Sequence, residues 1–285
     1  HTAVWSVIKT GRSYSITLAD AGAGYAVGDQ VHILGSVVGG VDGDNDILIT
    51  ITGISNDSTN SITNFVSEGS GSSGVFIATP STGTSGSYTQ NGDTWATFNF
   101  PTSGNWNCLA TGEKTFVAIA NNSSNAAYST DGINWTASAM PSSKYWNGAA
   151  YGGGIFVAVA GNLNAAAYST DGITWNSSTL PTFGDSTYNE YVDVTYGQNM
   201  FVAVANSGNT VSLGTWTGST VAWEAVLMDS VADSSQQDWC SIAYGNNRFV
   251  TISTQGGISY SLDGRTWYGA TMPTADGSTP HFWKK

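Results

Sequence analysis

The chain has 285 residues, with eight Lys and Arg against twenty Asp and Glu, a formal net charge of −12. That balance repels phosphate backbones and anionic headgroups, which argues against nucleic acid and acidic membrane surfaces as partners. Only 10% of residues are charged, while 40% are hydrophobic and 35 are glycine; with no long helical period anywhere, the composition sets an all-β class.

The first 66 residues read as a small β module. Short alternating runs occur at 4–8, 14–18, 31–34, 47–54 and 62–66, separated by AGAGY, VGDQ and GGVDGDND, which have turn chemistry. Over residues 47–52, Ile47, Ile49 and Ile51 alternate with Leu48, Thr50 and Thr52, as a half-buried strand requires. Asp42, Asp44 and Asp46 take the opening spacing of a calcium loop. Ile47 then stands where that loop needs Gly, and Gly53 where it needs Glu, so a solvated acidic turn is favoured and Ca2+ is the alternative. SEGSGSSG, residues 67–74, predicts a flexible linker between this module and the rest.

From Val75 to Lys285 a repeat of 40 to 48 residues governs the chain. Apolar strands open with a phenylalanine at 76, 116, 156, 201 and 249. AYSTDGINW (127–135) returns as AYSTDGITW (167–175), with looser forms ending at Trp95, Trp223 and Trp267. A further strand opens with Trp106, Trp146, Tyr191, Trp239 and Trp283. Four short strands per unit suit a propeller blade, which buries its faces only against its neighbours. Five blades are expected, the last strand, HFWKK, completing the first blade so that no edge stays open.

Ser-Thr-Asp-Gly-x-x-Trp resembles the Asp-box of sialidases and related propellers, which lies at the turn between a blade's third and fourth strands. A folding role follows from the chemistry: Asp131, Asp171 and Asp263, with Asn91 in the first unit, accept from turn amides, and Trp95, Trp135, Trp175, Trp223 and Trp267 plug the sheet edge. Sialidase chemistry lacks material. Of three arginines, Arg12 precedes the repeats and Arg248 and Arg265 share one unit, and the histidines are His1, His32 and His281. Asp193, Glu224, Asp229 and Asp238 offer carboxylates for a glycosidase pair, but no spacing selects one. The aromatic series Trp106, Trp146, Tyr191, Trp239 and Trp283 has two readings, packing between blades or a circle of rings that stacks on carbohydrate. Cys108 and Cys240 are too few for a disulfide scaffold and read as small buried thiols.

The units AYGxxxFVAVA and YSTDGxxW, together with GYAVGDQVHILGSVVGG and NDILITITGI in residues 24–54, are similar to virion structural and tail-fibre proteins of marine tailed phages, those of cyanobacteria in particular. The resemblance implies a non-enzymatic, extracellular role at a virion surface, with other virion proteins as partners, self-association through the N-terminal module, and attachment to a host-surface glycan. A secreted glycan-binding lectin is the alternative, and a glycosidase the least favoured. No cofactor is expected beyond the alternative of Ca2+.

Overall fold

The computed structural model describes residues 4–10, 13–20, 23, 25–27, 29–34, 47–54, 62–69, 75–90, 92–182, 189–206, 208–228, 238–254 and 256–271. They form two compact units, residues 1–75 and 76–285. In the first unit, β1 (Val4–Thr10) pairs with β2 (Ser13–Asp20), and β3 (Gln30–Ile33), β4 (Ile47–Ile54) and β5 (Ile62–Gly69) make an antiparallel sheet. Ile49 and Ile51 of β4 are fully buried on one face, as their alternation requires. One boundary is corrected. β5 continues through Ser67, Glu68 and Gly69, opposite Ile49, Leu48 and Ile47, because a ladder is made of main-chain groups and small polar residues do not break it. Residues 70–74 and the acidic turn with Asp42, Asp44 and Asp46 lie outside the described residues.

The second unit is a β-propeller, with five sheets among its described residues. The first has three strands, β6 (Phe76–Ala78), β7 (Ser85–Thr89) and β8 (Ala96–Asn99). The other four have four strands each. The second comprises β9 (Asn105–Thr111), β10 (Phe116–Asn121), β11 (Ser123–Ser129) and β12 (Thr136–Lys144), and the third β13 (Trp146–Gly152), β14 (Ile155–Ala160), β15 (Ala165–Ser169) and β16 (Asn176–Thr179). The fourth comprises β17 (Tyr191–Gly197), β18 (Met200–Ala205), β19 (Thr210–Trp216) and β20 (Val221–Leu227), and the fifth β21 (Trp239–Gly245), β22 (Arg248–Ser253), β23 (Gly257–Ser261) and β24 (Trp267–Thr271). Within every sheet, strands pair antiparallel in chain order. HFWKK, residues 281–285, lies outside the described residues.

The first strands β9, β13, β17 and β21 touch one another from blade to blade and therefore line the axis. Second strands are sandwiched, which explains their unbroken apolar runs: residues 155–160 and 201–205 are buried without exception. Cores lie between blades. Val117, Ile119 and Met140 of the second blade pack with Trp146, Phe156 and Trp175 of the third; Val157, Val159 and Leu180 pack with Tyr191, Phe201 and Val221; Val202, Val204 and Leu213 pack with Trp239, Phe249 and Trp267.

Candidate functional site

At the lower end of the second, third and fifth blades, where strands one and two and strands three and four are joined, the acidic turn repeats its bonding. Asp131 Oδ1 accepts from Ile133 N at 2.8 Å, Asn134 N at 2.7 Å and the Ser129 hydroxyl at 2.8 Å. Asp171 accepts likewise from Ile173 N, Thr174 N and Ser169, and Asp263 from Arg265 N, Thr266 N and Ser261. Gly132, Gly172 and Gly264 have φ of 74°, 74° and 73°, which a side chain would strain. Partial burial works against ionisation of Asp131, but the bonds from Asn134, Ile133 and Ser129 outweigh it and bring its pKa down to about 2. Asp171 is lowered by the same balance, and Asp263 chiefly by the Thr266 amide. These groups stabilise turns. Asn91 lies outside the described residues.

One expected aromatic role is corrected, and the described inner-strand aromatics take the packing reading over the carbohydrate one. Trp175 and Trp267 are buried and Trp135 and Trp223 half-buried, but Trp95 is 52% exposed and plugs nothing. Trp106, Trp146, Tyr191 and Trp239 are 0 to 1% exposed, so no sugar can stack on them without opening a core. Their polar atoms point inward as well: Trp146 Nε1 donates to Ser142 O, Trp239 Nε1 to Gly208 O, and the Tyr191 hydroxyl to Pro181 O. Burial pushes the Tyr191 phenol pKa up. Trp106 lies flat on Phe100 at 4.1 Å. Trp283 falls outside the described residues.

Beside the buried rings lies a feature that periodicity did not reveal. In each of the four inner strands the register slips by one residue after the aromatic: Trp106, Trp146, Tyr191 and Trp239 pair with Ala120, Ala160, Ala205 and Ser253, while Cys108, Gly148, Asp193 and Ser241 take the next partner. The skipped residue forms a β-bulge, which re-aims its side chain. Asn107 thereby reaches Trp146 O at 3.4 Å, and Asn147 reaches Tyr191 O at 2.9 Å. Asn121 adds bonds to Trp146 O and Asn147 Oδ1. In the fourth blade the bulge residue is Val192, which has no side-chain amide, and Asp193 ties the joint instead. Its Oδ2 accepts from the Ser241 hydroxyl at 2.8 Å and Ile242 N at 3.1 Å. Burial and the Asp193 carboxylate push the Cys240 thiol pKa up. Asp193 and Glu224 stand on the first and fourth strands of one sheet, about 14 Å apart at ordinary strand spacing, too far for a glycosidase pair. Glu224 pairs instead with Arg265 of the neighbouring blade. Among the described residues no group of His, Cys, Asp and Glu could hold a metal ion.

At the upper end, where strands two and three and successive blades are joined, the third blade carries an exposed apolar pair. Tyr145 is 48% and Leu163 60% exposed. The backbone links them, Tyr145 N donating to Asn162 Oδ1 at 3.2 Å and Gly161 N to Tyr145 O at 2.8 Å. Leu163 has φ 59° and Asn164 φ 51°, a region a branched apolar residue rarely enters. Asn164, 6% exposed, anchors the loop: its Oδ1 accepts from Asn189 N at 2.6 Å and its carbonyl from Leu180 N at 2.8 Å. The position of Tyr145, just before the inner-strand aromatic, holds Asn105, Glu190 and Asp238 in the second, fourth and fifth blades, and Phe282 before Trp283. A residue that leaves the repeat at one position was the signal available in the sequence.

Neither a protein-family model nor a curated protein matches the chain. Among solved structures it is similar to a streptogramin B lyase, with 15% identity over 72% of this chain and 70% of that one and a TM-score of 0.58. It is similar also to virginiamycin B lyase from Staphylococcus aureus, with 10% identity over 96% of this chain and 90% of that one and a TM-score of 0.60. A catalytically inactive histidine-to-alanine form of that lyase with quinupristin gives 15% identity, 73% and 78% coverage and a TM-score of 0.58. Likeness at this level shows the β-propeller fold. It also corrects the functional expectation drawn from the sequence. The virion structural assignment, with its lectin and glycosidase alternatives, is overturned: the chain superposes on lyase propellers, and four of the five aromatics that would have met a glycan are core.

Proposed function

We propose that the protein is a binding propeller without catalysis of its own, which offers the upper rim of its third blade to a peptide or protein segment with apolar anchors. The carrying observation is Leu163, 60% exposed in left-handed backbone and pinned by Asn162 and Asn164. A non-glycine residue held there costs roughly 1–3 kcal/mol, and exposing its apolar side chain returns nothing to folding; contact with a partner would. Tyr145 beside it supplies a ring with a polar tip, the residue type favoured at binding hot spots.

Two measurements test this reading. Peptides selected from a displayed library on the full chain should carry apolar anchors and lose about tenfold or more in affinity to Leu163→Asn and Tyr145→Ala. Asn tolerates the left-handed backbone, so Leu163→Asn should keep or raise the melting temperature. Selected peptides indifferent to both variants would sink the proposal. The absence of catalysis is tested with quinupristin, the compound bound by the inactivated lyase. That lyase lost activity with one histidine, whereas the sequence after residue 75 here contains only His281. Conversion of quinupristin by the full chain would overturn the non-catalytic reading.

A further inference from the structure

The two ends of the propeller carry opposite halves of one joint. In the fifth blade, Ala243, Val250, Tyr260 and Tyr268 lie opposite one another across four strands. Val250 is 38% and Tyr268 44% exposed; Tyr260 stacks on Tyr268 at 5.4 Å beneath the Arg248 guanidinium. The valines at the position of Val250 in earlier blades, Val117, Val157 and Val202, are all fully buried. The next blade covers them with the phenylalanine that opens its second strand and, at two of the joints, with the tryptophan of its acidic turn: Phe156 and Trp175 over the second blade, Phe201 over the third, Phe249 and Trp267 over the fourth.

The first blade offers that covering set exposed, with none of the described residues burying it. Phe76 is 63% and Trp95 52% exposed, whereas Phe116, Phe156, Phe201 and Phe249 range from 8% to 0%. The glycines report the same two gaps. A Cβ on Gly152 or Gly197 would strike the ring of Tyr196 or Tyr244 from the following blade at 2.0 or 2.3 Å, but one on Gly245 meets nothing within 4 Å. A Cβ on the turn glycine Gly172 would lie 2.7 Å from Val117 of the preceding blade, while one on Gly92 in the first blade also meets nothing. Because both halves are bare at once in a single chain, they are not mated to each other.

We infer that the bare face of the fifth blade is an interface for the first blade of a second copy of this chain. Phe76 and Trp95 of one copy cover Val250 and Tyr260 of the other, repeating the joint that the chain already makes between its own blades. Two different surfaces meet, so the contact is head-to-tail and each copy keeps one free end for a further copy.

Sedimentation of the full chain over rising concentration should show mass growing beyond the 29.7 kDa of one chain. Phe76→Glu and Val250→Glu alter exposed side chains, so each variant alone should melt as the wild type does. Each should weaken association at least about tenfold by placing an unpaired carboxylate in the joint. Each variant also retains one intact half, so an equal mixture of the two should form dimers and nothing larger, an outcome that general loss of stability cannot produce. A wild type of one-chain mass at every concentration would overturn the inference. So would a large fall in melting temperature for Val250→Glu at constant mass, because the face would then be covered by the chain's own first blade. Association unchanged in both variants would likewise refute it. The peptide-binding rim on the third blade is untouched by these substitutions, so the two proposals fail independently.

Discussion

Gly152 and Gly245 close the same Ala-Tyr-Gly ending of an inner strand, yet replacing each by Ala should have opposite effects. At Gly152 a Cβ would sit 2.0 Å from both Cγ and Cδ1 of Tyr196, where ordinary contact begins near 3.4 Å. The ring has little room to retreat, because it lies 4.8 Å from Phe201 and packs against the core of the third and fourth blades. Overpacking of this kind costs about 1–3 kcal/mol, and so direct a collision belongs at the upper end. Loss of backbone freedom in the unfolded chain offsets about 0.4–1 kcal/mol, leaving Gly152→Ala about 2 kcal/mol less stable. Gly245→Ala meets no atom and keeps only the favourable part. With a urea dependence of about 2 kcal/mol per molar, the two midpoints should differ by about 1.3 M. A double variant, Gly152→Ala with Tyr196→Ala, should cost at least about 1 kcal/mol less than the sum of its parts, since the colliding ring is gone. Equal midpoints for Gly152→Ala and Gly245→Ala in dilute solution would refute the reasoning.

Further outcomes follow from the site. Trp146→Ala should cost about 3–5 kcal/mol by emptying a fully buried volume, and Trp95→Ala under about 1 kcal/mol because its ring is half in solvent; thermal unfolding of the two variants checks both. Asp193→Asn places an amide among the donors Val194 N, Ser241 Oγ and Ile242 N, so it should cost about 1–3 kcal/mol, and Asp193→Ala should not be milder. The turn carboxylates predict an acid limit to stability. Their folded pKa values are lowered, so their contribution is complete above the unfolded value near 4 and is lost as pH falls toward the folded value, about 2 for Asp131. Melting temperature should be flat above about pH 5 and fall between about 4 and 2; for Asp131 the loss is about 1 kcal/mol once solvent screening is allowed for. An Asp131→Ala, Asp171→Ala double variant should begin lower and show a shallower acid fall.

What could be read in the sequence was whatever the repeat imposes on every blade. Ser129, Asp131 and Gly132 recur as Ser169, Asp171 and Gly172 because one turn uses their oxygens and their backbone freedom in the same way each time. The runs 116–120, 156–160 and 201–205 are apolar throughout because a blade covers each face. Identity of residue did not fix identity of environment. Phe76 and Phe156 head matching strands, but one is 63% and the other 2% exposed, a difference set by the blade on the far side. The tryptophans of the inner strands were legible as a series, but whether they met solvent depended on the bulge beside them. That slip of register is a property of pairing between strands, and no single strand's composition encodes it. The end of the first module was misplaced for a related reason, since Ser67 and Gly69 pair through their backbones.

Function is more readily sought where the repeat is broken than where it is kept. A position filled alike in each blade, such as the aromatic of the inner strand, answers to the joint that every blade must make, and four of these rings are core. The preceding position is free of that demand: it holds Asn105, Tyr145, Glu190 and Asp238. Among these four only Tyr145 is aromatic, Phe282 holding the same place before Trp283, and among the described residues only its blade places a leucine in left-handed backbone beside it. Folding gives no reason for either choice, since Asn or Gly would satisfy the loop at lower cost. The same logic separates the rim from the chain's bare ends. There, Phe76 and Val250 keep the residues of the repeat while standing exposed, as the proposed joint between copies requires, whereas Tyr145 and Leu163 depart from the repeat, as the proposed surface for a different kind of partner requires.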